Sequence, residues 1–233
     1  MLAEIEIASV HSSKRTNERP LTANSHSARR KNPDRSAKSK ADVRPYPRLL
    51  PGPWQLNTAI MCLCVLATAV LYAGDLRLGF FRIDDPQYVV GNVWIQGVTW
   101  EHIRQILSTT YYLNYSPLHL FSYMLDYAIA GLNAYAFHLS SNLWAGVVAG
   151  FVYLVALALT QHRFSAIAAA VLFIVHPVHV EAIAWISSRK DLVAAAFVLP
   201  AFLAYLKYRQ RGNIAWYLVS LTLFLLALLE SFQ

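Results

Sequence analysis

Five apolar runs separated by short polar breaks dominate the chain, at residues 56–73, 139–160, 164–186, 192–206 and 214–229. A helix needs about 20 residues to cross a hydrocarbon core of roughly 30 Å. The second run has that length with ease, while the fourth and fifth are short. The third is clean only to Val175, because His176 and Pro177 follow. Beyond that point the chain must continue kinked or dip back as a re-entrant segment, which is tolerated where it lines a protein cavity. The pattern predicts an all-α, polytopic helical membrane protein with about five membrane segments.

Between the first and second runs lies a long polar-apolar stretch, residues 74–137, with order of its own. Thr99 is placed to cap a short amphipathic helix carrying Trp100, Ile103 and Ile106/Leu107 on one face. Ser116 and Pro117 read as cap and first residue of another, with Leu118, Phe121, Leu125 and Ile129 on one stripe and Gly131 as its stop. Such helices are expected in the interface plane. Tyr111, Tyr112, Tyr115, Tyr123, Tyr127 and Tyr135 read as interfacial anchors rather than as sugar platforms.

Composition supports the membrane reading. Apolar residues make up 56% of 233 positions and charged ones 14%, against roughly a quarter charged in soluble domains; mean hydropathy is +0.37. The net charge of +7 resides almost wholly in residues 1–50, which hold eleven Lys/Arg against five Asp/Glu. That is a tail and not a nucleic-acid-binding face. It lacks the apolar periodicity that would offset chain entropy, so it is read as a disordered basic cytosolic tail attracted to anionic membrane lipid. Five acids argue against a transit peptide. Cys62 and Cys64 both lie in the first run, and they support neither a disulfide framework nor a zinc site.

Placing the basic tail inside leaves Arg163 and the trio Lys207, Arg209 and Arg211 in inner loops, and residues 74–137 in an outer loop. The strain in this assignment is Arg189 and Lys190, which fall on the outer face. A basic pair that breaks the rule calls for an anionic partner; a snorkelling helix end is the alternative.

Two constellations carry candidate chemistry. In Phe81-Arg-Ile-Asp-Asp-Pro-Gln-Tyr88, the adjacent carboxylates Asp84 and Asp85 suit proton transfer from a hydroxyl or a divalent cation; a solvated turn is the plain alternative. In His176-Pro-Val-His-Val-Glu-Ala-Ile-Ala-Trp-Ile-Ser-Ser-Arg-Lys-Asp191, six ionisable groups sit among apolar residues, a costly arrangement near hydrocarbon. His176 and His179 can share a helical face while Glu181 points elsewhere, which disfavours a metal site. Arg189 and Lys190 suit an anionic head group, whereas Ser188 and Asp191 fit a capping box. The topology puts both constellations on one side.

These motifs, with Tyr115-Ser-Pro-Leu-His119 and Gly131-Leu-Asn-Ala-Tyr-Ala-Phe-His138, resemble the transmembrane and tetratricopeptide-repeat O-mannosyltransferases and their bacterial relatives. Those are C-type glycosyltransferases dependent on polyprenyl-phosphate sugars, and the resemblance covers residues 75–230, about the whole of a partial membrane domain at 51–233. It implies inverting transfer of a sugar, mannose in the eukaryotic branch, from a lipid phosphate to a protein hydroxyl on the lumenal or periplasmic face. The host would be a bacterial inner membrane or the endoplasmic reticulum. By the same resemblance Asp84 or Asp85 would act as base, Arg189 and Lys190 would meet the lipid phosphate, and His176, His179 and Glu181 would shape the donor pocket. The sequence identifies no certain cofactor beyond a conceivable divalent cation; the lipid-linked sugar is substrate. Family members continue with further membrane helices and usually a repeat array, so this chain reads as truncated and activity is expected of a longer parent. A non-catalytic scaffold is the main competing reading, in which the acidic pair faces water and is dispensable.

Overall fold

The computed structural model describes residues 49–112 and 114–230. The predicted tail lies, up to residue 48, outside the described residues. All regular structure among them is helical, apart from an isolated bridge between Tyr111 and Asn114.

Helix α1 (Trp54–Leu71) follows the extended Pro53 and runs to Tyr72. Single helical turns then lead to α2 (Trp100–Ser108) and α3 (Pro117–Ala130). The Thr99 side chain accepts from His102 N–H, as its position predicts. Gly131 ends α3 at φ 61°, where a side chain would be strained. Helix α4 (Ala134–Thr160) is capped by Asn133 and closed by Gln161 in the left-handed region. Helix α5 (Arg163–Val175) bends by 54° at His176 into a short turn and α6 (Val180–Ala184). A tight turn, Ile186–Arg189, feeds α7 (Lys190–Arg211), and α8 (Ile214–Leu228) follows.

Three helical stretches have the length and composition to cross a membrane: Trp54–Leu71, Ala134–Thr160 and Ile186–Arg211. The bent pair Arg163–Val175 and Pro177–Ala184 makes a fourth if it forms one span. The predicted fourth segment is therefore longer than its apolar run, since its helix starts and ends in charged residues. The fifth, α8, remains a short apolar helix.

Helix α4 is the hub, packed by α1, α5 and α7, with Ala145, Val148, Ala149, Tyr153 and Leu157 buried. Close approach of α1 rests on Gly146 and Gly150: a Cβ at Gly146 would lie 2.6 Å from the Val65 Cα. Small residues one turn apart let helix backbones meet, the usual device where apolar surroundings supply no hydrophobic drive. At one end of the bundle Arg163 donates to Asn57 Oδ1 (3.1 Å), the Tyr153 hydroxyl (3.0 Å) and the Pro51 carbonyl (2.8 Å).

At the other end the segment between α1 and α4 builds a core of its own. Tyr88, Val89, Ile95, Ile106, Leu120, Tyr123, Met124 and Phe137 pack with Ile186 from the α6–α7 turn. One expectation changes here. Tyr123 is fully buried and not an interfacial anchor, while Tyr112 and Tyr135 are exposed. On α3 the stripe residues Leu125 and Ile129 look outward, 61% and 76% exposed, while Phe121 packs on this core and His119, Ser122 and Asp126 are buried. Helical spacing locates a stripe without saying which medium it meets, and in a membrane chain the apolar side faces outward.

Candidate active site

The acidic pair lies where the segment after α1 turns into a single π turn, Pro86–Val90, a form often found at functional sites. Its two members part company. Asp85 is fully buried: one oxygen accepts the Ser187 N–H (3.1 Å) and hydroxyl (2.5 Å), the other the Phe81 N–H (2.7 Å). Asp84 is half-buried, its side chain accepts no hydrogen bond from a described residue, and it lines a cavity of about 240 Å³. That cavity is shared with Tyr88, Asn114, Ser116 and His119 from the loop, and with Glu181, Trp185, Ser187, Ser188, Lys190 and Asp191 from the second constellation. The two motifs thus meet, as the topology expects, tied together by the Asp85–Ser187 contact.

Within the second motif the structure separates what the sequence grouped. Lys190 and Glu181 line the cavity. His176 and His179 do not; they border a different groove with Leu172, Phe173 and Val178. There His176 Nδ1 accepts from Val178 N–H at 3.2 Å, and the His179 ring stacks on Phe173 with centroids 4.1 Å apart.

Arg189 also departs from its expected role. It is fully buried, with Nη1 2.5 Å from Asp126 Oδ2, Nε donating to Ser141 Oγ (2.9 Å) and Nη2 to the Phe137 carbonyl (2.6 Å). The guanidinium stands 4.8 Å from the Tyr123 ring centroid. The basic residue does have an anionic partner, and it is Asp126 of α3. With its donors so committed and no place in the cavity wall, Arg189 braces the site from behind.

The capping-box reading fails as well. Residues 186–189 form a tight helical turn continuous with α7, so the extended residue before the helix is Trp185 and not Ser188, and no side chain caps either start. Ser188 and Asp191 line the cavity instead. Among the described residues no three His, Cys, Asp or Glu side chains form a metal-ligand group.

Some of the site was missed in the sequence. Helix α3 has Ser116 before it, yet Ser116 makes no side-chain cap. The cap comes from Glu230 beyond α8, which accepts N–H bonds from Leu118 (2.7 Å) and His119 (3.2 Å). Burial raises the Glu230 carboxyl to about 7, against the pull of those two N–H groups and of Lys190. A visible signal existed for both hidden acids: Asp126 and Glu230 each stand alone beside apolar runs, where an ionisable group needs a partner.

The arrangement offers three carboxylates, Asp84, Glu181 and Asp191, with one cation, Lys190, and several hydroxyl-binding groups around one small cavity at the end of a membrane-type bundle. No family model matches the chain, and no solved structure matches it. Curated relatives do. The chain is 32% identical to protein O-mannosyl-transferase Tmtc2 of Drosophila melanogaster over 185 residues, 73% of this chain and 20% of that protein. It is 35% identical to protein O-mannosyl-transferase TMTC2 of Homo sapiens over 162 residues, 64% of this chain and 19% of that protein. With protein O-mannosyl-transferase TMTC3 of Mus musculus it shares 35% over 115 residues, 49% of this chain and 12% of that protein. The matched stretch is thus a fifth or less of each of these relatives. Its identity to these proteins and its bundle of membrane-type helices place the chain, an integral membrane protein, in the TMTC protein O-mannosyl-transferase family.

Proposed function

We propose that this chain supplies the acceptor-activating and phosphate-facing wall of a protein O-mannosyltransferase that uses a polyprenyl-phosphate sugar. The site would open to the lumenal face of the endoplasmic reticulum, with the basic N-terminus on the cytosolic face. The observation that carries the reading is that Asp84, free of internal partners, and Lys190 line one cavity while Asp85 is consumed in holding its walls together.

In this reading Asp84 takes the proton of a serine or threonine hydroxyl as its oxygen attacks the anomeric carbon of the sugar. The bond from that carbon to the phosphate oxygen breaks, and the electron pair leaves with the lipid phosphate. Lys190 offsets the charge appearing on the phosphate, a stabilisation worth most in a poorly hydrated site. A phosphate needs little acid help to depart, so one base and one cation suffice. The scaffold alternative expects a water-facing, dispensable acidic pair, whereas Asp85 is 0% exposed.

The test is sugar transfer by the chain in lipid, from a polyprenyl-phosphate-mannose donor to a hydroxyl-bearing peptide, with Asp84→Asn and Lys190→Gln beside the parent. Asp84→Asn should lose about a hundredfold or more in rate, and Lys190→Gln should raise the donor KM. Unchanged transfer in Asp84→Asn sinks the base assignment. Orientation is tested by labelling single cysteines at Trp100 and Val178, which are 78% and 70% exposed at the cavity end; both should react only from the lumenal side.

A further inference from the structure

Two atoms in residues lining the cavity have no hydrogen-bond partner among the described residues: His119 Nδ1 and Trp185 Nε1, both buried. Buried polar atoms are rarely left unpaired, and an exception asks for an explanation. His119 is 1% exposed and held from several sides. Its backbone N–H bonds to Glu230, its ring lies 4.3 Å from that of Tyr123, and its Nε2 is 2.5 Å from the Tyr123 hydroxyl. That hydroxyl also contacts the Ile186 carbonyl at 2.5 Å. A phenol has one proton and a carbonyl only accepts, so the phenol donates to Ile186 and His119 Nε2 must donate to the phenol. The proton is thereby fixed on Nε2, leaving Nδ1 a bare acceptor. Burial, aided by Arg189 and Lys190 nearby, holds the imidazole well below its ordinary range, so it stays neutral and keeps that lone pair. Trp185 Nε1, by contrast, only donates.

We propose that His119 Nδ1 and Trp185 Nε1 are an acceptor and a donor for hydroxyl groups of the substrate in this cavity, orienting them relative to Asp84. A hydroxyl both donates and accepts, which an acceptor and a donor among the residues lining one cavity complement. A hexose and a hydroxy amino acid share that chemistry. The assignment rests on the proposed transfer reaction for what occupies the cavity, while its geometry is independent of whether Asp84 is the base.

The experiment is nitrogen NMR of the chain in lipid nanodiscs with labelled imidazole and indole nitrogens, the signals assigned with His119→Gln and Trp185→Phe. Polyprenyl-phosphate-mannose and a serine- or threonine-containing peptide are added in separate arms. His119 should appear as the neutral Nε2–H tautomer, and its Nδ1 signal and the Trp185 N–H signal should move with one of the two. The arm that moves them identifies the source of the hydroxyls; no movement in either overturns the proposal. Kinetics supply a second reading. Asn at 119 keeps an acceptor where Nδ1 stands, and Gln keeps a donor where Nε2 meets Tyr123. His119→Asn should stay within about threefold of the parent, and His119→Gln and Trp185→Phe should each lose about tenfold or more, chiefly in the KM of the same substrate. The reverse order for the two His119 variants would mean that His119 only anchors Tyr123. A transfer-inactive parent, or an Asp84→Asn variant with full activity, would defeat the catalytic reading and leave the NMR result standing.

Discussion

Asp85 and Ser187, 102 residues apart, are joined through one carboxylate oxygen that accepts both the backbone N–H and the hydroxyl of Ser187. Since Asp85 is fully buried, that contact fixes the segment after α1 to the turn before α7, and so the distance between Asp84 and Lys190 across the cavity. Two neighbouring carboxylates thus divide the work, one holding the walls and one facing the space between them.

The division predicts opposite phenotypes for the two conservative variants. Asp85→Asn turns a charged acceptor of three hydrogen bonds into an amide, and should lower unfolding stability by about 1–3 kcal/mol. Asp84→Asn should leave stability within about 0.5 kcal/mol while cutting transfer about a hundredfold or more. Thermal unfolding in detergent, beside the transfer assay, separates them; equal destabilisation by both would refute the division.

Arg189 and Asp126 form a buried ion pair that also engages Ser122, Ser141 and the Phe137 carbonyl. Removing one partner leaves an uncompensated charge, so Arg189→Met and Asp126→Leu should each destabilise by about 3–5 kcal/mol. The double variant should recover much of that loss, because an apolar replacement of both charges avoids the desolvation cost. Additive losses in denaturation measurements would argue that each residue acts through separate contacts.

Glu230 gives the stability a pH dependence with a defined sign. Its carboxyl, 6% exposed, sits at about 7 in the folded chain against an ordinary value of 4.5. Between those values the folded chain retains a proton that the unfolded chain has lost. The resulting stabilisation is fully present below about pH 4.5, and it is lost as pH rises through about 7, with an upper bound of about 3 kcal/mol. Glu230→Gln keeps an oxygen for the Leu118 and His119 N–H bonds and cannot titrate. It should flatten the melting temperature between pH 5 and pH 8; an unchanged slope would place the dependence elsewhere.

Gly146 sets the α1–α4 spacing. A methyl group there would meet the Val65 backbone at 2.6 Å, a contact no side-chain rotation relieves. Gly146→Ala should therefore cost about 1–3 kcal/mol by forcing the two helices apart. At Gly150 the nearest atoms belong to the flexible Met61 side chain at 3.2 Å or more, so Gly150→Ala should cost less. Equal melting temperatures for the two variants would contradict this ranking.

Periodic chemistry carried by consecutive residues was legible in the sequence. The apolar runs marked the membrane helices, Thr99 precedes the helix it caps, and the break at His176-Pro177 is the 54° bend. The motif at residues 176–191 named the family, and charge topology put it on the same side as Asp84 and Asp85. These features depend on local backbone geometry and on the cost of polar groups in hydrocarbon, both of which act within a few residues of chain.

Tertiary structure decided which charges are free. No local rule says that Asp85 should bond to Ser187, that Arg189 should meet Asp126, or that Glu230 should cap a helix 112 residues earlier. Each partnership is made between elements distant in sequence, and each side chain so used is withdrawn from chemistry because its hydrogen-bonding capacity is spent. The sequence determined a membrane bundle with two charged motifs on one side; only packing left Asp84 and Lys190 facing the cavity and turned Asp85 and Arg189 into its supports.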